Sequence, residues 1–587
     1  FQEKIQGGQG GEWTIKCIFY RTRQKITNLP FIRCNGRILS RKMCRTKRSD
    51  DMPKVFNTAA ICIPQEHYMV NLDSRVREIK KLVDAGKYFM INRARQYGKT
   101  TTLRALYRNM MKDYYVVSLD FQTFGSAEFE TESRFANSFA DSILEEFERE
   151  YREFPKKMEE SLENLRRKIS ERPLNENFTL RSLFGYLSDL CASADKPIVI
   201  MIDEVDSASN NQVFLDFLAQ LRAQYIDRDI QPAFKSVILA GVYDIKNLKR
   251  KLRPEEDHKY NSPWNIAAEF TVDMSFSKEE IAGMLEEYEA DYHTGMNIND
   301  MAQWLYNYTS GYPFLVSRLC QLMDERISQE ESYPSLSDVW TKKGFEEAVR
   351  MLLSEKNTLF ESLINKLKDH PELNQTIQTI LFTGKSIAYN ADETSIDIAT
   401  MFGFVKNQNG KVVIANRIFE TRLYNYYLSS VEMQSKDIYD KSLLDKNQFV
   451  TNGHLNMDLI LERFVVHFHD IYGDRDEKFI EKEGRKYFLL YLRPIINGVG
   501  NYYIEAETRD QRRTDVIVDY LGERDIIGLK IWHGEEYNRQ GEEQLVDYLN
   551  SYHLDKGYMV TFSFNQKKEI GVRQVEVNSK TIIEAVV

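Results

Sequence analysis

The chain has 587 residues, of which 42% are hydrophobic and 28% charged, and its composition is typical of globular proteins. This length predicts three or four domains, each able to bury its own core. The sequence contains no run of about 18 apolar residues, which argues against a membrane-spanning helix and a membrane partner. The six cysteines lie far apart without metal-ligand spacing, which is typical of reduced thiols in a cytoplasmic protein.

The charge is unevenly distributed along the chain. Residues 1–51 carry 12 Lys/Arg and 4 Asp/Glu, a balance of +8 within a chain whose net charge is −9. A basic cluster in this segment could attract nucleic acid: Arg41, Lys42, Arg45, Lys47 and Arg48. The chain begins with Phe1, and the segment lacks periodicity. We therefore expect a poorly ordered extension and exclude it from fold prediction.

Residues 88–106 contain the most informative pattern of the chain. An apolar run is followed by a short loop with the triplet Gly98, Lys99 and Thr100, and then by a helical pattern. A strand, a loop and a helix N-terminus in this order can surround an anion with backbone N–H groups. In such a P-loop Lys99 reaches the β- and γ-phosphates, and the hydroxyl of Thr100 holds Mg²⁺. The pattern therefore predicts a nucleotide site.

A second motif, about a hundred residues further on, supports the first. Five consecutive apolar residues, 198–202, precede Asp203 and Glu204, which is typical of a buried parallel strand followed by two acids. Ligands of open α/β sheets bind where such strands end. Asp203 would hold Mg²⁺ as in a Walker B motif, and Glu204 would polarise the attacking water. Together the motifs predict ATP and Mg²⁺ as cofactors.

Further helices and strands alternate around these motifs. We predict helices over 72–84, 133–170 and 179–192, and strands over 115–120 and 236–241. This alternation predicts a doubly wound parallel sheet, and therefore an α/β fold class.

Polar residues after the strand at 236–241 are candidates for contact with the γ-phosphate. Tyr243 and Asp244 would sense it, with a plain strand-end turn as the alternative. Arg250 and Arg253 are the nearest candidates for an arginine finger, acting within the chain or from a neighbouring subunit of a homo-oligomer. A solvated basic helix face is the alternative for both arginines.

The chain then becomes mainly helical. Residues 271–353 show helical patterns, and residues 386–428 mix short helices with a hairpin at 407–410. This arrangement predicts a helical lid followed by a winged-helix-like module. Its expected role is that of a packing or lid module, and DNA binding is the less favoured alternative because a basic recognition helix is missing.

The pattern changes again after about residue 435. Six elements are predicted there: a helix at 458–472, strands at 502–507, 515–520 and 525–532, a helix at 542–551 and a strand at 558–564. This αβββαβ order is typical of a restriction-endonuclease-like domain. The spacing from Asp515 to Lys530 is similar to a nuclease site in which two acids hold Mg²⁺ and a lysine orients water. Gly528 occupies the place of the second acid.

The whole combination resembles the bacterial AAA-ATPase-like proteins that join a degenerate P-loop ATPase to a PD-(D/E)XK nuclease-like domain. Their P-loop reads R-x-R-x-x-GK-[ST], which the chain matches, so the resemblance assigns Arg93, Arg95 and the adjoining Thr101 to the nucleotide site. The tripeptide at 311–313 is similar to the G-x-P lid motif of STAND-type ATPases, which implies that Pro313 lies near the adenine. The resemblance covers about residues 52–587.

The resemblance also assigns roles in the nuclease-like domain. Asp515 becomes the metal ligand and Lys530 the catalytic lysine, while Gln544 and Tyr548 match the supporting Q-x-x-x-Y helix of RecB-like nucleases. Glu462, on the preceding helix, would be the outer acid.

The sequence departs from this family at Gly528, where the family has a glutamate. Mg²⁺ would lose a carboxylate ligand, so we predict impaired cleavage unless Glu505 or Glu507 supplies the missing acid. Gly528→Glu is then expected to restore metal-dependent cleavage.

These patterns divide the chain into an extension (1–51), an ATPase core (52–270), a lid (271–355), a winged-helix-like module (356–435) and a nuclease-like domain (436–587). The leading hypothesis is an ATPase coupled to a nuclease-like domain. The alternative is a non-catalytic nucleotide switch whose C-terminal domain binds DNA, RNA or protein.

Overall fold

The computed structural model describes residues 54–170, 178–208, 210–242, 264–383, 387–430, 436–472, 477–496, 500–505, 513–521, 523–532, 535–563 and 569–587. The predicted extension at 1–51 and Glu507 lie outside these ranges. So do the four candidates for contact with the γ-phosphate: Tyr243, Asp244, Arg250 and Arg253. Within the described ranges no helix is long and apolar enough to cross a membrane.

Four strands form the parallel sheet predicted around the two nucleotide motifs. Two short strands precede them, β1 (Val55–Phe56) and β2 (His67–Tyr68); the sheet strands are β3 (Phe89–Asn92), β4 (Tyr115–Asp120), β5 (Ile198–Asp203) and β6 (Ser236–Gly241). Their order is β3-β6-β5-β4, with all three pairings parallel. The P-loop strand β3 and the Walker B strand β5 therefore flank β6, and their carboxyl ends meet at one edge.

Helices cover both faces of this sheet. They are α1 (Asp73–Asp84), α2 (Lys99–Met110), α3 (Glu132–Glu150), α4 (Lys156–Ser170), α5 (Leu180–Ser193) and α6 (Gln212–Ile226). Alternate residues of β5 enter two different apolar cores: Val199 and Met201 pack with α1 and α2, whereas Ile200 and Ile202 pack with α3, α5 and α6. The α/β fold with a parallel sheet is thus confirmed.

The middle of the chain is helical, with one hairpin. Its elements are α7 (Lys278–Tyr292), α8 (Ile298–Thr309), α9 (Pro313–Glu325), α10 (Leu336–Val339), α11 (Lys342–Ser354), α12 (Thr358–Asp369), α13 (Pro371–Gln378), α14 (Thr394–Met401), β7 (Val405–Gln408), β8 (Lys411–Ile414) and α15 (Arg417–Leu428). Strands β7 and β8 pair antiparallel. Asn409 and Gly410 between them have positive φ, as a tight hairpin turn requires.

The C-terminal part is built on a six-stranded mixed sheet. Its elements are α16 (Asp437–Asp445), β9 (Val450–Thr451), β10 (His454–Leu455), α17 (Met457–Tyr472), α18 (Glu477–Ile496), β11 (Gly500–Glu505), β12 (Arg513–Tyr520), β13 (Glu523–Ile531), α19 (Glu535–Ser551), β14 (Lys556–Phe562), β15 (Gly571–Val577) and β16 (Lys580–Val586). The sheet order is β11-β12-β13-β14-β16-β15. Strands β11 to β13 pair antiparallel, and β13, β14 and β16 pair parallel.

Three sequence predictions differ from the structure, the first because helix α18 lies between the predicted helix at 458–472 and the first predicted strand of the C-terminal part. The single long helix predicted over 133–170 is two helices, α3 and α4, and Pro155 lies in the break, where its missing N–H cannot continue a helix. The sheet also continues beyond the predicted last strand, because β16 pairs with β14 and β15 pairs antiparallel with β16.

Candidate functional site

The loop between β3 and α2 has the backbone that phosphate binding requires. Gly98 is the N-cap of α2 and has φ of 78°, in the left-handed region that favours glycine. Gln96 also has positive φ, at 57°. This curled backbone ends at a helix N-terminus, where the N–H groups and the helix dipole favour an anion.

Lys99 lies inside the curl of the loop. Its Nζ donates to the carbonyl oxygens of Arg93 at 2.9 Å and Ala94 at 3.1 Å, and the residue is 7% exposed. Burial lowers the pKa of Lys99, and the acids Glu204 and Asp206 oppose that shift. The loop therefore holds a buried cation beside a cluster of carboxylates.

The two nucleotide motifs meet through a side-chain hydrogen bond. Thr100 Oγ1 donates to Asp203 Oδ2 at 2.7 Å, and the other oxygen, Oδ1, accepts from the backbone N–H of Glu204 at 2.9 Å. Parallel pairing places Asp203 beside Asp120 at the end of β4. The side chains of residues 100 and 203, which are distant in sequence, are thus in contact at the carboxyl edge of the sheet.

Glu204 leaves the sheet in a strained conformation. Its φ is 51°, which is uncommon for a residue with a side chain and concentrates at functional sites. The side chain is half-buried, and this burial raises the pKa of Glu204 although Lys99 lowers it. A carboxylate with a raised pKa beside a cation is suited to accept a proton from water.

Asp206 is a further acid at this edge, beside Asp203, Glu204 and Asp120, whose position the motif alone did not identify. Its Oδ2 accepts from the backbone N–H of Val242 at 2.6 Å, so it fixes the end of β6 against the turn after β5. In the sequence, the signal for Asp206 is its position three residues after Asp203.

A cavity of about 330 Å³ opens beside the loop. Gly98 and Thr101 line it from the P-loop side, and Pro313 lines it from the start of α9. Its other side is a largely apolar wall that sequence patterns did not reveal, formed by residues that include Thr58, Cys62, Met69, Val70, Phe276 and Phe314. The backbone N–H of Cys62 donates to Thr101 Oγ1 at 3.2 Å, which ties this wall to α2. The size and lining suit a nucleoside.

The two loop arginines have different surroundings. Arg93 donates from Nη1 to the carbonyl of Asn92 at 2.9 Å and from Nη2 to that of Val272 at 3.0 Å, and its guanidinium lies 5.2 Å from the ring centre of Phe270. Burial lowers the pKa of Arg93. These contacts bind Arg93 to the strand end, whereas the side chain of Arg95 is exposed. Their contact with phosphate remains a prediction.

The C-terminal sheet places the predicted nuclease residues as follows. Asp515 of β12 pairs with Gly528 of β13 in the backbone register, and Lys530 follows two residues later on β13. The side chains of Asp515 and Glu505 lie outside the described part. Where side chains are described, no cluster of three or more His, Cys, Asp or Glu could hold a metal ion.

Lys530 is enclosed by partners that sequence reasoning missed. The residue is 1% exposed, and its Nζ lies 3.7 Å from Oε1 of Glu584 on β16. Glu584 also accepts from Thr561 Oγ1 at 2.7 Å and from Arg573 Nη2 at 2.6 Å. Burial raises the pKa of Glu584, but Lys530, Thr561 and Arg573 outweigh this and lower it. Lys530 and Glu584 therefore form a buried ion pair, and Thr561 and Arg573 extend it into a network.

The remaining predicted nuclease residues lie on two helices, α17 and α19. Gln544 is exposed and Tyr548 half-buried on α19, the helix whose Gly541 lies beside the Lys530 side chain. Glu462 is exposed on α17. Phe468 of that helix packs on the ring of Phe562. Phe562 follows Thr561 on β14, so its side chain lies on the opposite face of the sheet from Thr561 and Lys530. The structure does not bring Glu462 to Lys530.

Comparisons with known proteins identify the family of the chain. No curated protein matches the chain. A Walker-type ATPase of Pyrococcus abyssi is 11% identical with a TM-score of 0.42, covering 63% of this chain and 99% of that one. The Aeropyrum pernix ORC1 protein, solved in complex with DNA, is 13% identical with a TM-score of 0.27, covering 61% and 93%. The ADP form of the Aeropyrum pernix ORC2 protein is 12% identical with a TM-score of 0.33, covering 64% and 98%. Residues 63–430, more than half of the chain, match the AAA-like domain family, so the chain belongs to that family.

Proposed function

We propose that the chain binds Mg·ATP in the cavity beside the P-loop and hydrolyses it. The hydrogen bond of 2.7 Å between Thr100 and Asp203 carries this proposal, because it joins the Walker A and Walker B residues at one point. The base would occupy the cavity against Pro313, and the phosphates would lie on the backbone N–H groups at the start of α2.

Mg²⁺ fits the oxygens available at this point. The Thr100 hydroxyl and the Asp203 carboxylate are hard oxygen donors, the type that Mg²⁺ prefers, and they would hold it together with phosphate oxygens. When bound, the cation neutralises charge on the phosphates.

Each remaining side chain has a distinct role in this proposal. Lys99 would exchange its two carbonyl partners for the β- and γ-phosphate oxygens, to which it supplies positive charge. Glu204 would orient water and accept its proton, and its raised pKa favours that step. Arg93, Arg95 and Thr101 are proposed as further contacts around the nucleotide.

We propose that the C-terminal part, 436–587, is a nuclease-like domain with an impaired catalytic site. Gly528 offers no carboxylate opposite Asp515, and the ion pair of Lys530 with Glu584 supports a structural role for the lysine. The second candidate function is a non-catalytic domain that binds DNA, RNA or a protein under control of the nucleotide, and it is favoured over cleavage to the extent that Glu584 engages the lysine that cleavage would need.

The domain boundaries given by the sequence remain part of the proposal, as do a winged-helix-like module at 356–435 and an arginine finger at Arg250 or Arg253. A homo-oligomer is proposed only if that finger acts between subunits.

Turnover of radiolabelled ATP by the full chain tests the ATPase proposal. Wild type should hydrolyse ATP and Lys99→Ala should not, while Glu204→Gln should bind ATP without efficient turnover. Equal turnover by wild type and Lys99→Ala would refute the ATPase proposal. Plasmid nicking with Mg²⁺ or Mn²⁺ separates the two C-terminal functions, since robust cleavage abolished by Asp515→Ala would show an active nuclease.

A further inference from the structure

Tyr312 joins the P-loop to the helices that follow the ATPase sheet. The residue is 2% exposed, and its hydroxyl donates to the backbone carbonyl of Arg95. Its ring lies 4.7 Å from that of Tyr97 at 71° and 5.3 Å from that of Phe419 at 70°, both edge-to-face. One buried side chain therefore contacts the phosphate loop twice and α15 once.

The backbone of Tyr312 is fixed to the wall of the nucleotide cavity. Pro313, the next residue, begins α9 and lines that cavity. Gly311, the preceding residue, has φ of 72°, and a Cβ there would lie 2.0 Å from the carbonyl oxygen of Phe276, another lining residue. The Phe276 N–H also donates to the Gly311 carbonyl at 2.8 Å. Movement of this wall must therefore move Tyr312.

The carbonyl that accepts from Tyr312 follows directly on the two carbonyls that accept from Lys99. The carbonyls of Arg93 and Ala94 accept from Lys99, and the next carbonyl along the chain, that of Arg95, accepts from Tyr312. Three successive carbonyls of the loop are thus fixed by side-chain donors, two by Lys99 and the third by the Tyr312 hydroxyl. Burial raises the pKa of Tyr312 far above its ordinary value, so the phenol remains a neutral donor.

We propose that Tyr312 is a positioning residue that couples the base-binding wall at Pro313 to the phosphate-binding loop at Arg95. This role rests on the proposed ATP site and goes beyond it, because a single hydroxyl would link binding of the base to binding of the phosphates. A base seated against Pro313 would favour the loop shape that receives the phosphates.

Tyr312→Phe tests the coupling because it keeps both ring contacts and removes only the hydroxyl. We expect the affinity of the full chain for adenosine to stay within twofold of wild type. Affinity for Mg·ATP should fall about fivefold, the equivalent of one neutral hydrogen bond. Tyr424→Phe is the matched control, since the buried Tyr424 hydroxyl also donates to a backbone carbonyl, that of Leu381, away from the cavity lining. This control should leave both affinities unchanged.

Two outcomes would refute the role of Tyr312 and leave the proposed ATP site unaffected. If Tyr312→Phe binds Mg·ATP as tightly as wild type, the hydroxyl does not position the loop. If adenosine and Mg·ATP weaken equally, Tyr312 supports the base wall only. Failure of the ATP site itself is recognisable separately, because wild type would then bind Mg·ATP no better than Lys99→Ala, and both proposals would fall together.

Discussion

Replacing Lys530 with methionine tests whether this lysine stabilises the C-terminal sheet or serves catalysis. The substitution leaves the buried carboxylate of Glu584 without a cation 3.7 Å away. Removing one partner of a buried ion pair typically costs about 3–5 kcal/mol. Thr561 and Arg573 keep their hydrogen bonds to Glu584, so we expect the lower end, about 3 kcal/mol in the free energy of unfolding.

Thermal unfolding followed by circular dichroism measures this effect. In Lys530→Met the buried Glu584 carboxylate keeps one ion pair, with the largely exposed Arg573, and has lost the buried one. The double variant Lys530→Met with Glu584→Gln should be more stable than Lys530→Met alone, because it removes this partly compensated charge. Lys556→Met is the matched control: Lys556 pairs with Asp458 on the surface, where such pairs contribute about 0–1 kcal/mol. If Lys530→Met melts at the wild-type temperature, the structural role is refuted, and a simultaneous loss of DNA cleavage would reassign the lysine to catalysis.

Three further predictions concern the acids and one contact between helices and sheet. Glu204→Gln should keep ATP affinity and lower turnover by about 10²–10⁴-fold, and because burial raises the pKa of Glu204, wild-type turnover should rise with pH in the weakly acidic range; a flat pH profile would count against Glu204 as the base. Burial raises the pKa of Asp525 from 3.8 to about 7, so between these values the unfolded chain loses a proton that the folded chain keeps, and stability falls as pH rises. Asp525→Asn should therefore raise the melting temperature at pH above about 7, and an unchanged pH dependence would contradict this. Arg524 of β13 is ion-paired with Glu346 of α11, so Arg524→Ala should speed limited proteolysis of the C-terminal sheet, whereas an unchanged digestion rate would show that the pair does not hold it.

Local patterns predicted the ATPase part of the fold well. The run before Gly98 and the run before Asp203 are strands because continuous apolar sequence suits a sheet covered on both faces, and the glycine lies where φ must be positive. The sequence also predicted that Thr100 and Asp203 hold one Mg²⁺; their side chains are in contact, and the metal stays a prediction. These signals are local, so a single sequence carries them.

Contacts between distant segments escaped prediction. Nothing near Lys530 in sequence indicates that Glu584 will neutralise it, because the pairing depends on the parallel strands β14 and β16. Strands β15 and β16 were also missed, although they form a local hairpin whose turn residues, Asn578 and Ser579, have positive φ. Likewise, Tyr312 stood inside a motif known for its proline, and only the packed structure shows its hydroxyl at the Arg95 carbonyl.

Equilibrium titration of the full chain with Mg·ATP tests the central claim most directly. We predict saturable binding at one site by wild type and by Lys81→Ala, which removes an exposed lysine of α1. Lys99→Ala should bind at least about tenfold more weakly, since hydrogen bonds to charged groups contribute about 1.5–3 kcal/mol. Equal affinity of wild type and Lys99→Ala, or no saturable binding by wild type, would contradict the assignment of a nucleotide site to this loop.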